Sequence, residues 1–390
     1  MNALRNIGRL FSPGEPVRQR VDLFLDQGRV VSVVPVGGAG GADEEFDCAG
    51  GLLTPGLIDA HTHPVYARAR LEEVSVRSEG TSYAQVSASG GGINATVRDT
   101  RATSFAALEG ATRTRFARWL SQGTTSIEAK TGYWLEREGE LEAVALLRRL
   151  GQDSSLPRVT VTFLGAHEVP PERRSDRDGY VTAVAEWCPA AADAGADFCD
   201  AFCDDGAFTA AETERIFVAA NSAGMRLRVH ADELALTGGA RLAARMGAVS
   251  ADHLLRIGEQ EIREMAGAGT VATLCPVTAL SLGQPPPASA LLEAGVMVAL
   301  GSDHNPGTSG TTSMSLIVYL AVAELGLSVG QALTAATLGG ARSLGVEDRG
   351  AAAPGQLADL VLWDTEHEGA FAWEPGLRAL RVWRGGVAQA

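Results

Sequence analysis

Along the middle of the chain, short β-branched and apolar runs alternate with longer helix-compatible stretches. The runs are LIDAHTH (57–63), TTSIEA (124–129), VTVTFLGAH (159–167), ADFCDAFC (196–203), MRLRVH (225–230), GAVSADH (247–253), TVATLCP (270–276) and VMVALGSD (296–303). Helical stretches over 104–121, 138–150, 179–194, 209–223, 238–246, 258–267 and 288–294 separate them, and two more over 313–325 and 328–344 follow. Alternation of this kind predicts an α/β fold in which helices cover a parallel sheet. Eight strands are the number that closes a (β/α)8 barrel, expected here over residues 56–345.

The two ends of the chain follow a different pattern. Residues 1–55 and 346–390 read as short strands with turns, as in VDLFLDQGRVVSVVPV (21–36) and PGQLADLVLWD (354–364). Each half is too short to hold a core alone, so the two are expected to pair into one small β-sandwich domain beside the barrel.

Composition narrows the class without changing this picture. With 45% hydrophobic and 21% charged residues the chain is globular, neither disordered nor a disulfide scaffold. Its longest apolar runs, such as Leu316–Ala323, stop short of the ~20 residues of a membrane span, and Met1–Leu10 has no apolar signal core. A soluble, cytoplasmic protein without a membrane partner is expected. The net charge of −14, from 47 acids against 33 bases, argues against a nucleic-acid partner, because phosphate binding needs clustered Lys and Arg. Five cysteines (Cys48, Cys188, Cys199, Cys203 and Cys275) form no CxxC pair and are expected to be reduced core thiols.

The candidate chemistry lies at strand ends. Five of the seven histidines, His61, His63, His167, His230 and His253, end predicted strands, and barrel enzymes place their chemistry at that face. His61 and His63, two residues apart on one strand, point to the same side and can reach one cation. His230 and Asp303 would add a nitrogen and an oxygen. Three His and one Asp suit zinc or iron better than Mg or Ca, and with a position open to water they make a catalytic set. Such an ion acidifies water and polarises a carbonyl, so the chemistry implied is hydrolysis. Glu233 and His253 are the candidates for moving protons. Each has a plainer alternative, a helix-capping acid and a buried polar histidine.

PGLIDAHTHP, VHADE, ALGSDHNPG and PGQLADLVLWD resemble the amidohydrolase superfamily over nearly the whole chain. More specifically, GGGINATVRDTR (90–101), EAKTGYWL (128–135), FLGAHEVPPE (163–172), DAFCDDGAFT (200–209), RVHADEL (228–234), SADHLL (250–255) and GSDHNPGT (301–308) resemble the imidazolonepropionases. The resemblance implies hydrolysis of 4-imidazolone-5-propanoate to N-formimidoyl-L-glutamate in histidine degradation. It also implies that His61, His63, His230 and Asp303 hold one zinc or iron ion and that the protein is a homodimer. Arg70 and Tyr133 would bind the propionate, an assignment that suits an Arg fork and a hydroxyl. His167 and Glu233 would contact the ring, His253 would position or activate water and with Asp303 handle its proton, and Asn305, Gly307 and Thr308 would line the same pocket. Lys130, the single lysine, is expected to be structural or electrostatic rather than a bridge between two metals. The alternatives are another amidohydrolase, such as a heterocyclic-base deaminase or another cyclic amidase, and a catalytically silent scaffold, which would lack ligands.

Overall fold

The computed structural model describes residues 1–38, 40–81, 85–86 and 90–389. The chain opens with strands β1 (Asn2–Leu10), β2 (Arg18–Asp26), β3 (Arg29–Pro35), β4 (Glu44–Asp47) and β5 (Leu52–Pro55). Eight strands follow: β6 (Leu57–Asp59), β7 (Thr124–Lys130), β8 (Arg158–Ala166), β9 (Phe198–Cys203), β10 (Arg226–Ala231), β11 (Ser250–His253), β12 (Val271–Leu274) and β13 (Val298–Leu300). They pair in sequence order, and every pair is parallel. Backbone bonds bring the last strand back to the first: the Ala60 N–H donates to Leu300 O (3.1 Å), the Asp303 N–H to His61 O (2.9 Å) and the His63 N–H to His304 O (2.8 Å). The expected barrel is therefore present.

β14 (Leu360–Trp363), β15 (Ala379–Arg384) and β16 (Val387–Ala388) rejoin the opening strands. The order β16-β15-β14-β5-β1-β2-β3, with β4 also on β1, places β5 between the two chain ends in one continuous sheet. An Arg29–Leu357 bridge returns β3 to the segment just before β14, so the sheet curls around its own core of Ile7, Leu23, Leu53, Leu360 and Trp383. Gly8 permits the closest approach there, since a Cβ on it would lie 1.9 Å from Gly50 O.

Three differences from the expected elements have local causes. The strands expected at 57–63 and 296–303 shorten to β6 and β13, because the chain beyond each turns to present side chains; Asp303 has φ 48°, in the left-handed region. The helix expected over 328–344 breaks into Val329–Thr334, a wider π-type turn Ala335–Gly339, and Gly340–Ser343. Gly339 and Gly340 press on the barrel there, where a Cβ would meet Val298 O at 2.1 Å and Ile58 Cβ at 2.7 Å. Helices Leu71–Ser78, Gly92–Arg101 and Pro276–Leu282 were not expected; they are short and lie in the loops after β6 and β12, on the face that carries the site.

Candidate active site

The floor of the site is a set of histidines fixed from behind. The Nδ1 of His61 lies 2.7 Å from Asp252 Oδ2, and the Nδ1 of His230 lies 3.1 Å from Asp200 Oδ1. A carboxylate on Nδ1 places the proton there and leaves the Nε2 lone pair facing inward. His63 Nε2 sits 3.2 Å from His61 Nε2 and 3.3 Å from His230 Nε2. Burial holds the imidazoles of His61 and His63 well below their ordinary pKa, so they are neutral. Lone pairs that face one another at this distance repel unless a cation lies among them. Nitrogens ~2.1 Å from one tetrahedral ion are roughly 3.4 Å apart, close to the spacing observed. Asp303 Oδ1 completes the group at 3.6 Å from His61 Nε2 and 3.5 Å from His63 Nε2. The four sequence-predicted ligands therefore meet, and the donor set fits a metal ion.

Beneath them runs a buried charge network. Lys130 Nζ donates to Asp200 Oδ2 (2.7 Å) and Glu128 Oε1 (2.8 Å) and lies 3.7 Å from Asp252 Oδ2. Arg228 Nη2 donates to Asp252 Oδ2 (3.0 Å). Burial alone would push the Asp200 carboxyl up, yet His230 and Lys130 hold it well below the carboxylate range; Asp200 and Glu128 likewise outweigh burial and raise Lys130. Period-two spacing puts Arg228 and His230 on the same side of β10, and cross-strand register puts His230 beside Asp252. Sequence reasoning missed Asp200, Asp252, Glu128 and Arg228. The available signal was their presence as charged residues within otherwise apolar strands, where burial demands partners.

Above the floor, one pocket is lined by His63, Arg70, Tyr133, His167, His230, Glu233, His253, Asp303, Asn305 and Thr308, with Ile93, Phe202, Leu234 and Leu282 as its apolar wall. Ten of the twelve predicted site residues thus share one pocket. His61 lies buried beneath it, and Gly307 lies under the Arg70 guanidinium. His167 stacks on His63 (ring centroids 5.0 Å apart, 17° between planes), with its Nδ1 3.0 Å from Gly132 O. Burial lowers His167 and His253 to a pKa of about 3. Burial, with the nearby charges of Asp303 and Asp204, raises the Glu233 carboxyl well above its usual range, and burial brings Asp303 to about 6. The site therefore pairs a neutral imidazole with a carboxyl whose hold on a proton is strengthened. The separation is small: His253 Nδ1 is 3.7 Å from Glu233 Oε1.

Arg70 is held by Glu73, which accepts from Nε at 2.8 Å, and by Thr96, which accepts from Nη1 at 2.5 Å. Asn305 is used largely within its own loop. Its Oδ1 accepts the N–H groups of Gly307 (2.7 Å) and Thr308 (2.8 Å), and its Nδ2 donates to Asp303 O and Thr308 Oγ1. That loop seats Gly307 where a Cβ would fall 1.8 Å from Arg70 Nη2. Gly307→Ala should therefore displace the guanidinium and raise KM for a carboxylate substrate about tenfold or more, the worth of a charged hydrogen bond, with metal content unchanged. Steady-state kinetics beside metal analysis checks this, and an unchanged KM would refute the contact. His304, next to Asp303, turns away from the site to Tyr66 (Nε2 to Oη, 2.9 Å) and Trp119.

Comparison with known proteins gives the family of the chain. The model of the Amidohydrolase family matches residues 52–387. An imidazolonepropionase of Syntrophobacter fumaroxidans is 43% identical over 343 residues, 87% of this chain and 81% of that protein. Another, of Ectopseudomonas mendocina, is 42% identical over 381 residues, 95% of this chain and 94% of its own. Among solved structures, a zinc-bound adenosine deaminase of Xanthomonas campestris superposes with a TM-score of 0.72 at 22% identity, covering 99% of this chain and 92% of that one. A zinc complex of atrazine chlorohydrolase from Arthrobacter aurescens gives 0.75 at 18%, covering 100% and 95%. At these identities the two structures speak to the fold alone.

Proposed function

Because the chain belongs to the amidohydrolase family and, within it, to the imidazolonepropionases, we propose that the residues gathered in its pocket divide the work of one ring opening. The reaction is hydrolysis of 4-imidazolone-5-propanoate to N-formimidoyl-L-glutamate, a step of histidine degradation. The observation that carries the assignment of residues is the convergence of three Nε2 lone pairs beside Asp303, in a pocket that also holds Arg70, Glu233 and His253.

His61, His63, His230 and Asp303 would hold the metal, one zinc or iron ion per chain. When bound, such an ion lowers the pKa of water and polarises the carbonyl under attack. The remaining steps belong to side chains. Arg70, fixed by Glu73 and Thr96, and Tyr133 take the propionate and set the ring in the pocket. His167 stacks against the ring floor. His253, neutral down to a pKa of about 3, accepts the proton of the attacking water. The water oxygen bonds to the ring carbonyl carbon, the C–N bond breaks, and the leaving nitrogen takes a proton from Glu233, whose hold on it is strengthened by burial. Asp303 takes the second proton of the water as the new acid ionises, and His253 returns its proton to Glu233, so the side chains are restored and the net products are a new carboxylate, a formimidoyl N–H and one released proton.

The proposal extends to organisation. A barrel over 56–345 with a β domain from 1–55 and 346–390 is supported by the separate core of the curled sheet. A cytoplasmic location is supported by five buried free cysteines, and no described helix is long and apolar enough to cross a membrane. A homodimer completes it. The decisive experiment supplies 4-imidazolone-5-propanoate in place from urocanate and urocanase, follows loss of ultraviolet absorbance, and weighs the product. Conversion to a product one water heavier, by protein with about one metal per chain, is expected. No conversion by metal-loaded protein would overturn the residue assignment.

A further inference from the structure

Beside the catalytic pocket lies a second, larger cleft of about 900 Å³. It is walled by the loops after β6, β8 and β9, and so opens on the same face of the barrel. Helix Gly92–Arg101 serves both spaces, with Ile93 in the catalytic pocket and Asn94, Arg98 and Arg101 in the cleft; His167 and Glu168 divide in the same way. Parts of three sequence motifs that the ring chemistry does not use meet in its walls: Asn94, Arg98 and Arg101 of GGGINATVRDTR, Glu168, Pro171 and Glu172 of HEVPPE, and Gly206 of CDDG.

Its charge is unusual for this chain. Four arginines face two glutamates, an excess of two positive charges (4 − 2) in a protein of net charge −14. Two of the arginines are neutralised: Arg101 donates to Glu172 Oε1 (2.7 Å), and Arg177 grips both oxygens of Glu212 (2.6 and 2.8 Å). Arg98 and Arg174 have no ion pair among the described residues and both are exposed; Glu168 of the same wall feels the charge of Arg174, so the three leave one positive charge uncompensated. Arg98, an arginine fork without a carboxylate in a cleft that also exposes Arg174, defines what is missing: a ligand that carries carboxylate.

We infer that this cleft is a binding site for a carboxylate ligand, lying on the path to and from the catalytic pocket. The inference rests on the function proposed above, because the imidazolone with its propionate and the ring-opened dicarboxylate both have this chemistry. A local positive field also offsets the repulsion that an acidic protein exerts on an anion and raises its concentration at the mouth of the site.

The test is the double variant Arg98→Gln/Arg174→Gln, at two exposed positions outside the catalytic set. N-formyl-L-glutamate, a stable dicarboxylate, is titrated by calorimetry into parent and variant at low ionic strength. Two sites per chain in the parent and one in the variant are expected; the same stoichiometry and affinity in both would overturn the site. This readout needs no turnover, so it stands apart from failure of the proposed reaction. Kinetics then distinguishes the source. A kcat/KM lower by about tenfold at low salt, recovering at high salt with kcat unchanged, assigns the cleft to incoming substrate. A weakened product inhibition assigns it to the outgoing dicarboxylate.

Discussion

His253→Asn should lower kcat by about 10²- to 10⁴-fold, the range lost with a general base, while the protein keeps the parent's metal content. Asn is the informative replacement because residue 253 has φ 75° and Leu254 φ 63°. Asn tolerates the left-handed region, so the backbone that aims the side chain survives. Both ring nitrogens of His253 are buried without a hydrogen-bond partner among the described residues, and Glu233 at 3.7 Å is too far to supply one. Leaving polar atoms so costs about 1–3 kcal/mol each, a cost consistent with a group held ready for water and substrate. The variant is therefore expected to melt no lower than the parent. Because burial keeps the imidazole neutral above a pKa of about 3, the loss should be uniform across the neutral range. Parallel measurement of kcat, bound metal and Tm checks all three. A kcat within about threefold of the parent would remove His253 from the chemistry.

The histidines were readable in the sequence because their signal is local. Period-two spacing aligns His61 with His63, and a polar residue at the carboxyl end of an apolar run marks the catalytic face without any knowledge of partners. What sets them was not readable in that way. Asp252 supports His61 across 191 positions and Asp200 supports His230 across 30, and nothing local distinguishes these acids from caps or surface charges. The same limit applies to the strand lengths. β6 and β13 stop early because the chain beyond each turns to present side chains, and the residues past the turn bond across the closing seam, a partnership between residues 60–63 and 300–304. The resemblance to known motifs supplied Arg70 and Gly307 as a set, but only the packed structure shows that Gly307 is small so that the guanidinium can lie over it.

Lys130→Met should destabilise the protein by about 3–5 kcal/mol, the usual consequence of taking one partner from a buried ion cluster. The ammonium is fully buried and lies within 2.8 Å of two carboxylates and 3.7 Å of a third. Without it, Glu128, Asp200 and Asp252 keep Arg228 as the one cation among these five side chains, and two of the carboxylates are those that fix His61 and His230. Methionine matches the volume of the lysine stem, so the loss reports charge rather than a cavity. The second variant separates this from nonspecific damage. Lys130→Met/Asp200→Asn removes one charge of each sign, and its destabilisation should fall short of the sum of the single variants by about 2 kcal/mol or more. Urea unfolding of the four proteins, with and without a chelator, supplies the cycle. If the two changes simply add, Lys130 is an isolated buried charge. If they couple, the lysine is the element that ties the supports of two metal-facing imidazoles into one rigid unit, and metal affinity should fall in Lys130→Met.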